Sequence, residues 1–110
     1  MIYHITTREN WNKSKINGYF STESLKTDGF IHCSFKNQII KVAEFLFSGQ
    51  QDLLLLGIDE IKLESNFISE DLYKLDERYP HIYGKVNLDS IINIEPLKTK
   101  NGNFYLPENL

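Results

Sequence analysis

The sequence predicts a single α+β domain over residues 1–110, with one or two helices packed on split, mostly antiparallel sheets. Strand-like segments outnumber helical ones, and only one or two helical segments are long enough to matter for packing. That mix of elements favours a split or antiparallel sheet over a doubly wound parallel one. A chain of 110 residues has the usual size of one domain, and its 41% hydrophobic content is enough for a core without disulfides or metal ions.

The N-terminal segment predicts a strand followed by a helix. The β-rich residues Ile2–Ile5 are typical of a first strand. Thr6 or Thr7 can cap the helix that follows, and Gly18 can stop it. The buried side of this helix is expected to carry two apolar residues, Trp11 and Ile16.

The next segment holds the best helix of the chain. A single helical turn at Thr22–Lys26 precedes a strand at Phe30–Cys33. Ser34 can then cap a helix that reaches Phe47, and Gly49 follows as a C-terminal stop. The apolar residues whose helical spacing predicts packing on the sheet are Ile39, Ile40, Ala43, Phe45, Leu46 and Phe47.

Strand signals dominate the second half of the chain. The continuous apolar run Leu53–Ile58 is typical of a strand buried on both faces. The region 59–79 is expected to contain a turn and an exposed acidic loop. Further strands are predicted around Phe67-Ile68, at His81–Gly84, at Ile91–Leu97 and, as a short segment, at Phe104-Tyr105.

Charge and composition exclude several classes of protein. The net charge is −3, and no run of lysine or arginine stands out, which argues against broad nucleic-acid binding but allows a pocket for one nucleotide. The single cysteine, Cys33, excludes an internal disulfide and fits a reducing compartment. The longest apolar run, Leu53–Leu56, is too short to span a bilayer, and no signal-peptide pattern is present. We therefore expect a cytoplasmic protein without a membrane partner, and its oligomeric state stays open.

The three histidines share one local pattern, because each is followed two positions later by a hydroxyl side chain. The segments are His4-Ile5-Thr6, His32-Cys33-Ser34 and His81-Ile82-Tyr83. Residues i and i+2 of a strand point to the same face. If the three strands are neighbours, these side chains form one polar cleft. The alternative is three ordinary histidines at a strand edge or hydrogen-bonded in the core.

Other chemistry is less well supported by the residue pattern. Three histidines could bind zinc, but they lack the helical spacing of the commonest zinc motif, so no metal is expected. Cys33 should point away from His32 and is expected to be a small core residue. Arg78 could reach a phosphate or simply lie on the surface. The acidic residues of the loop, of which one could face the cleft, are Glu70, Asp71, Asp76 and Glu77.

Five ordered motifs carry a family resemblance over nearly the whole chain. They are Ile2–Thr6, Glu23–Leu25, Asp28–Ser34, Leu53–Ile58 and Tyr79–Gly84. Together they resemble the bacterial domain-of-unknown-function family 952, which has no settled activity. That family is thought to be distantly similar to ADP-ribosyltransferases and to the NAD-using RNA 2′-phosphotransferases. The resemblance therefore implies an ADP-ribosyltransferase-like split of the sheets.

The distant similarity implies roles for individual residues. His4 with Thr6 matches a first-strand histidine that holds the adenosine-side ribose of NAD. The strand that follows Gly29 matches a transferase strand that carries an aromatic residue stacked on nicotinamide. His32 lies near the position of that aromatic residue. Ser34 matches a serine that opens the following helix.

Two departures from the transferase pattern are visible. A third strand normally carries a catalytic glutamate, whereas the corresponding segment here, His81–Tyr83, has no carboxylate. The phosphotransferases also rely on arginines, and this chain has only Arg8 and Arg78.

These observations lead to one hypothesis and two alternatives. The hypothesis is a histidine-rich cleft that binds NAD or an ADP-ribose-like nucleotide and acts as a transferase. The alternatives are a non-catalytic nucleotide- or metabolite-binding module and a three-histidine metal enzyme. Histidine is suited to acid–base work because its ordinary pKa is about 6.5. The candidate catalytic residues are His81, His32 and Tyr83, and the candidate cofactor-binding residues are His4, Thr6, Gly29, Ser34 and Arg78.

Overall fold

The computed structural model describes residues 1–110 and has the predicted α+β architecture. None of its three helices has the length and apolar character needed to cross a membrane. The helices are α1 (Arg8–Asn17), α2 (Glu23–Thr27) and α3 (Ile39–Leu46). The strands are β1 (Ile2–Thr7), β2 (Tyr19–Phe20), β3 (Ile31–His32), β4 (Leu53–Ile58), β5 (Phe67–Glu70), β6 (Tyr79–Ile82), β7 (Val86–Asn87), β8 (Ile91–Leu97), β9 (Thr99–Lys100) and β10 (Asn103–Phe104).

Two antiparallel three-stranded sheets form the framework of the domain. One has the strand order β1-β4-β8 and the other the order β3-β6-β5. A single bridge joins them, in which Tyr3 and Ser34 exchange two backbone hydrogen bonds of 2.8 and 2.7 Å. The predicted split, mostly antiparallel arrangement is confirmed. The strands that carry the three histidines are neighbours, because β3 pairs with β6 and the bridge brings β1 next to them.

Strand β4 lies at the centre of the core. All six of its residues are buried, as the continuous apolar run predicts. Successive side chains point to opposite faces, so Leu55 and Leu56 belong to two different apolar clusters. The first cluster contains Ile2, Phe20, Ile31, Cys33, Leu56, Ile58, Ile82, Val86 and Ile91. The second contains Tyr3, Ile5, Ile39, Ala43, Leu53, Leu55, Leu97 and Phe104.

The prediction that Ile16 lies on the buried side of α1 is wrong. Ile16 is 85% exposed, whereas Trp11 is partly buried against the first cluster. Five helical positions separate the two residues, which corresponds to a rotation of about 140° around the axis. They therefore cannot share one narrow buried face. The predicted caps are confirmed, since Thr7 accepts a hydrogen bond from the Asn10 backbone and Gly18 ends the helix.

The start and the exposed face of α3 also differ from prediction. Ser34 does not cap this helix, because it lies one residue before Phe35, the N-cap position of the 3₁₀ turn that precedes the helix. Its backbone pairs with Tyr3 in the bridge. A 3₁₀ turn at Lys36–Gln38 comes first, and α3 begins at Ile39. Phe45 is 84% exposed and Leu46 is 54% exposed, so neither packs on the sheet as predicted. Phe45 lies two positions after the buried Ala43, on the opposite side of the helix.

Shortening a core side chain of β4 is expected to be costly. Leu56 is fully buried in the first cluster, so Leu56→Ala should lower the free energy of unfolding by about 2–5 kcal/mol through lost contacts and a cavity. Leu46→Ala is the matched control, because this leucine is 54% exposed and its loss should change stability by less than about 0.5 kcal/mol. Urea unfolding of both variants measures the difference. Equal losses would contradict the central position of β4.

Candidate functional site

His32 and His81 form a cross-strand pair in the β3-β6-β5 sheet. They are direct register partners in β3 and β6, and their rings lie 5.6 Å apart in an edge-to-face arrangement. Because their neighbours Ile31 and Ile82 face the first core cluster, the two imidazoles lie on the opposite face of the sheet. Phe30 shares that face, and its ring stacks on His81 at 4.1 Å. Two predicted site residues are therefore brought into direct proximity.

Each histidine of this pair has its own carboxylate partner. The Nδ1 atom of His81 lies 2.9 Å from Oε1 of Glu70, and the Tyr83 hydroxyl donates a hydrogen bond to the same oxygen. The Nε2 atom of His32 lies 2.9 Å from a carboxylate oxygen of Asp28, the residue that ends α2. We call the six residues on this face the histidine cluster: Asp28, Phe30, His32, Glu70, His81 and Tyr83.

Hydrogen bonds determine the protonation states of Glu70 and its two partners, His81 and Tyr83. The hydrogen bonds from Tyr83 and then from His81 lower the pKa of Glu70, because they stabilise the carboxylate. The same bond raises the pKa of Tyr83, which would lose it on deprotonation. Glu70 is thus an ionised acceptor at neutral pH, and Nδ1 of His81 carries the shared proton. Nε2 of His81 is left as the ring atom that can exchange a proton with another group.

His4 lies where the two sheets separate. Its Nδ1 atom is 2.6 Å from the backbone oxygen of His32, so this nitrogen must be the donor and carry the proton. Burial lowers the pKa of His4 to about 4, which keeps the ring neutral. The edge-to-face contact with Phe20 at 5.2 Å places the ring on the core side of the split. Nε2 makes no hydrogen bond within the protein and is a free acceptor.

Four other predicted binding residues have contacts within the fold. Thr6 is buried and accepts a hydrogen bond from the side chain of Asn10 at 3.1 Å. Arg78 is exposed and donates to the backbone oxygen of Ser69 at 3.2 Å. Ser34 is buried at the bridge, and Gly29, with φ of +86°, forms the turn that enters β3. The structure thus brings together His32, His81 and Tyr83, with His4 beside them, and ligand binding by the other four residues stays a prediction.

Sequence reasoning missed several members of the site. Asp28 had a local signal, because it lies four residues before His32, and Phe30 shares the face of His32 by strand alternation. Glu70 was recognised only as one of four acidic residues in a loop. It lies in β5, and the pairing of β5 with β6 across the intervening loop cannot be derived from local pattern. Tyr73, whose ring lies 6.5 Å from that of His32, had no signal at all.

Two other kinds of site find no support in the geometry. No group of three or more histidine, cysteine, aspartate or glutamate side chains is placed to hold a metal ion, so the three-histidine zinc alternative lacks its ligand set. Cys33 packs in the first core cluster as predicted, and burial raises the pKa of its thiol. Two surface hollows of about 410 and 450 Å³ lie elsewhere and include no residue of the histidine cluster.

Comparison with known proteins identifies the family. The chain belongs to the DUF952 family of proteins of unknown function, whose model matches residues 5–94. The fold is similar to the crystal structure of protein CC0527 from Caulobacter crescentus, with a TM-score of 0.85, 28% identity, and coverage of 94% of this chain and 92% of that one. The solution NMR structure of CC0527 gives a TM-score of 0.74 at 26% identity, covering 94% of this chain and 89% of that one. No curated protein matches the chain at a significant level.

Acidification is expected to destabilise the protein through His4. An unfolded chain binds a proton at histidine near pH 6.5, whereas the folded protein holds the pKa of His4 at about 4. The stabilisation of the folded state by neutral His4 is complete above about pH 6.5. It is lost as the pH falls, and the loss reaches ~3 kcal/mol at about pH 4. His4→Asn keeps a donor near the Nδ1 position but does not titrate. Urea unfolding measures the free energy of unfolding at about pH 7 and about pH 4.5. Its decrease between the two pH values should be larger by roughly 2–3 kcal/mol in the wild type than in His4→Asn. Equal losses in the two proteins would contradict the buried neutral state of His4.

Proposed function

We propose that this protein binds NAD or another ADP-ribose-type nucleotide at the split between β1 and β3 and acts on it as a transferase. The observation that carries the proposal is the position of Glu70. The family resemblance implies a carboxylate at the reacting centre, and the segment His81–Tyr83 has none of its own. Glu70 of the adjacent strand contacts both His81 and Tyr83 and so supplies a carboxylate at that place.

His4 supports the nucleotide part of the proposal. Its ring is neutral and its proton lies on Nδ1, so Nε2 can only accept a hydrogen bond. A ribose hydroxyl is a donor that fits this nitrogen. The His4 ring is also held by the backbone of His32, which links the position of a bound ribose to the histidine cluster.

The histidine cluster supports the group-transfer part. An ionised Glu70 can stabilise positive charge that develops on a ribose carbon as its leaving group departs. The same carboxylate orients His81 through Nδ1, which is the usual way to leave the other ring nitrogen available as an acid or base. Tyr83 holds the carboxylate from the other side. These contacts favour transfer of an ADP-ribosyl group to an acceptor.

Transfer of a phosphoryl group has less support than transfer of an ADP-ribosyl group. The two arginines of the chain are engaged away from the histidine cluster: Arg8 forms an exposed ion pair with Asp52 at 2.8 Å, and Arg78 donates to Ser69. The cluster itself contains two carboxylates and no lysine or arginine. A phosphate at this place would meet like charge.

A non-catalytic binding module is the second candidate, and one observation favours it. His81 is only 2% exposed, and the ring of Phe30 lies stacked against it. In this arrangement the His81 ring is closed to a substrate, and Phe30 is one of the side chains that cover it. If Phe30 stays in place, the protein retains a ligand near His4 and His32 without chemistry at His81.

Replacing His4 by asparagine is expected to weaken nucleotide binding without unfolding the protein. His4→Asn keeps the donor to the His32 backbone but removes the acceptor at Nε2. Titration of NAD and ADP-ribose, followed by NMR and calorimetry, should show binding to the wild type and a loss of at least about tenfold in the variant, as expected when a hydrogen bond is left unmade. Thr7→Ser, an exposed change in the same strand that keeps the hydroxyl capping α1, is the control. Unchanged affinity in His4→Asn, or no binding of either ligand to the wild type, would contradict this proposal.

Replacing Glu70 by glutamine separates the two candidate functions. The amide keeps the size of the side chain but removes its negative charge. If the protein is a transferase, Glu70→Gln should retain NAD binding. The rate of nicotinamide release should fall by about 10²-fold or more, which is the usual effect of removing an electrostatic contact to a transition state. Chromatographic detection of nicotinamide from NAD measures this. Absence of release in the wild type, with NAD binding intact, would favour the binding module.

A further inference from the structure

The surface hollow of about 410 Å³ lies at one end of the β1-β4-β8 sheet. Thr7, Leu53 and Leu97 are aligned across the three strands at this end, and the two leucines line the hollow. We call it the Arg8 hollow. Its polar lining residues are Arg8, Gln50, Gln51, Asp52, Lys98 and Thr99. None of them belongs to the histidine cluster, so this surface is separate from the site described above.

The Arg8 hollow has more hydrogen-bond donors than the protein itself uses. The ammonium group of Lys98 and the side-chain amides of Gln50 and Gln51 make no hydrogen bond or ion pair within the fold. The lining contains two cations and one carboxylate, in a chain whose net charge is −3. The hollow is therefore a place of local positive charge, which an anion complements.

Asp52 orients the Arg8 side chain from two positions. Its backbone oxygen accepts a hydrogen bond from the Arg8 backbone at 3.3 Å, and its carboxylate accepts one from Nε of Arg8 at 2.8 Å. Asp52 has a left-handed backbone conformation, with φ of 60°, which is uncommon outside glycine. Both Nη atoms of Arg8 are left without a partner. Together they form the fork of donors that binds two oxygens of one anion.

The exposure of this arginine indicates which anion fits. The Arg8 side chain is 50% exposed, and an exposed pair of single charges contributes little because water screens it. A phosphate monoester carries a charge of about −1.5 to −2 at neutral pH and three acceptor oxygens, so it can engage Arg8 and Lys98 together. No aromatic residue lines the hollow, so a nucleotide base has nothing to stack on.

The second hollow, of about 450 Å³, lacks this excess of donors. Its cation, Lys85, already has a partner, because Nζ lies 4.4 Å from the centre of the Tyr19 ring. Glu64 also lines that hollow and balances the lysine charge. Unmatched positive charge therefore distinguishes the Arg8 hollow from the other one.

We propose that the Arg8 hollow is a second binding site, which takes the phosphate monoester of a small polar molecule such as a sugar. The fork of Arg8 binds two phosphate oxygens, and Lys98 neutralises the remaining charge. The amides of Gln50 and Gln51 bind hydroxyl groups of the sugar. This site is independent of the proposed function, because it shares no residue with it.

Two probes that differ only in the phosphate group test the site. NMR titration of the wild type should show binding of glucose 6-phosphate, with the largest shifts at Arg8, Lys98 and Thr99, and no binding of glucose. Arg8→Gln should weaken the binding by about tenfold or more, as hydrogen bonds to a charged group are lost. Lys98→Gln should also weaken it. Lys100→Gln is the matched control, because it removes the same charge two residues away, outside the lining.

Arg8→Lys separates a built site from diffuse attraction between charges. The variant keeps the positive charge but loses the fork, since an ammonium group cannot donate two parallel hydrogen bonds to one phosphate. Its affinity for glucose 6-phosphate should fall nearly as far as that of Arg8→Gln. Wild-type affinity in Arg8→Lys, equal losses in Lys98→Gln and Lys100→Gln, or no binding to the wild type would each overturn the site.

His4→Asn distinguishes this site from the proposed nucleotide site. Glucose 6-phosphate should bind His4→Asn and the wild type equally, because His4 does not line the Arg8 hollow. Equal binding together with no response to NAD would support the Arg8 hollow and contradict nucleotide binding. Loss of glucose 6-phosphate binding in His4→Asn would place the probe at the nucleotide site and overturn the second site.

Discussion

The register between β3 and β6 is the constraint on which the candidate site depends. The backbone hydrogen bond from Cys33 to Pro80, 3.0 Å long, aligns the two strands so that His32 and His81 are direct partners. A slip of one residue would turn one imidazole into the apolar core and expose an apolar partner such as Ile82. Burial of Ile31 and Ile82 therefore holds the two histidines on the other face, where they meet their carboxylates.

The split between the two sheets creates a second polar position next to this pair. Beyond the bridge at Tyr3 and Ser34, β1 no longer continues the ladder with β3. The backbone oxygen of His32 would then lack a strand partner, and the imidazole of His4 donates to it instead. The same hydrogen bond that closes the gap in the ladder decides which nitrogen of His4 is free. Fold and chemistry are thus coupled through one side chain.

Much of the fold could be predicted because it depends on local pattern. The apolar run Leu53–Ile58 predicts a strand buried on both faces, and that strand lies at the centre of the structure. The errors concern the cap predicted at Ser34 and three apolar residues that the structure exposes, Ile16, Phe45 and Leu46. Composition alone does not reveal them, because the face a short helix buries depends on how it is tethered to the sheet. For α3, that tether is the bridge and the 3₁₀ turn before Ile39.

Strand alternation by itself determined that His81 and Tyr83 point to one side, since residues two apart on a strand always share a face. The sequence also determined that Cys33 points to the core. Only the tertiary structure decided that Glu70 joins His81 and that Tyr73 faces His32, because these contacts depend on the pairing of β5 with β6 and on the turn after β5. Neither contact leaves a periodic signal. Which side chains meet across a loop depends on how all the strands of the sheet pair. The sequence separation of two such residues therefore does not determine the distance between them.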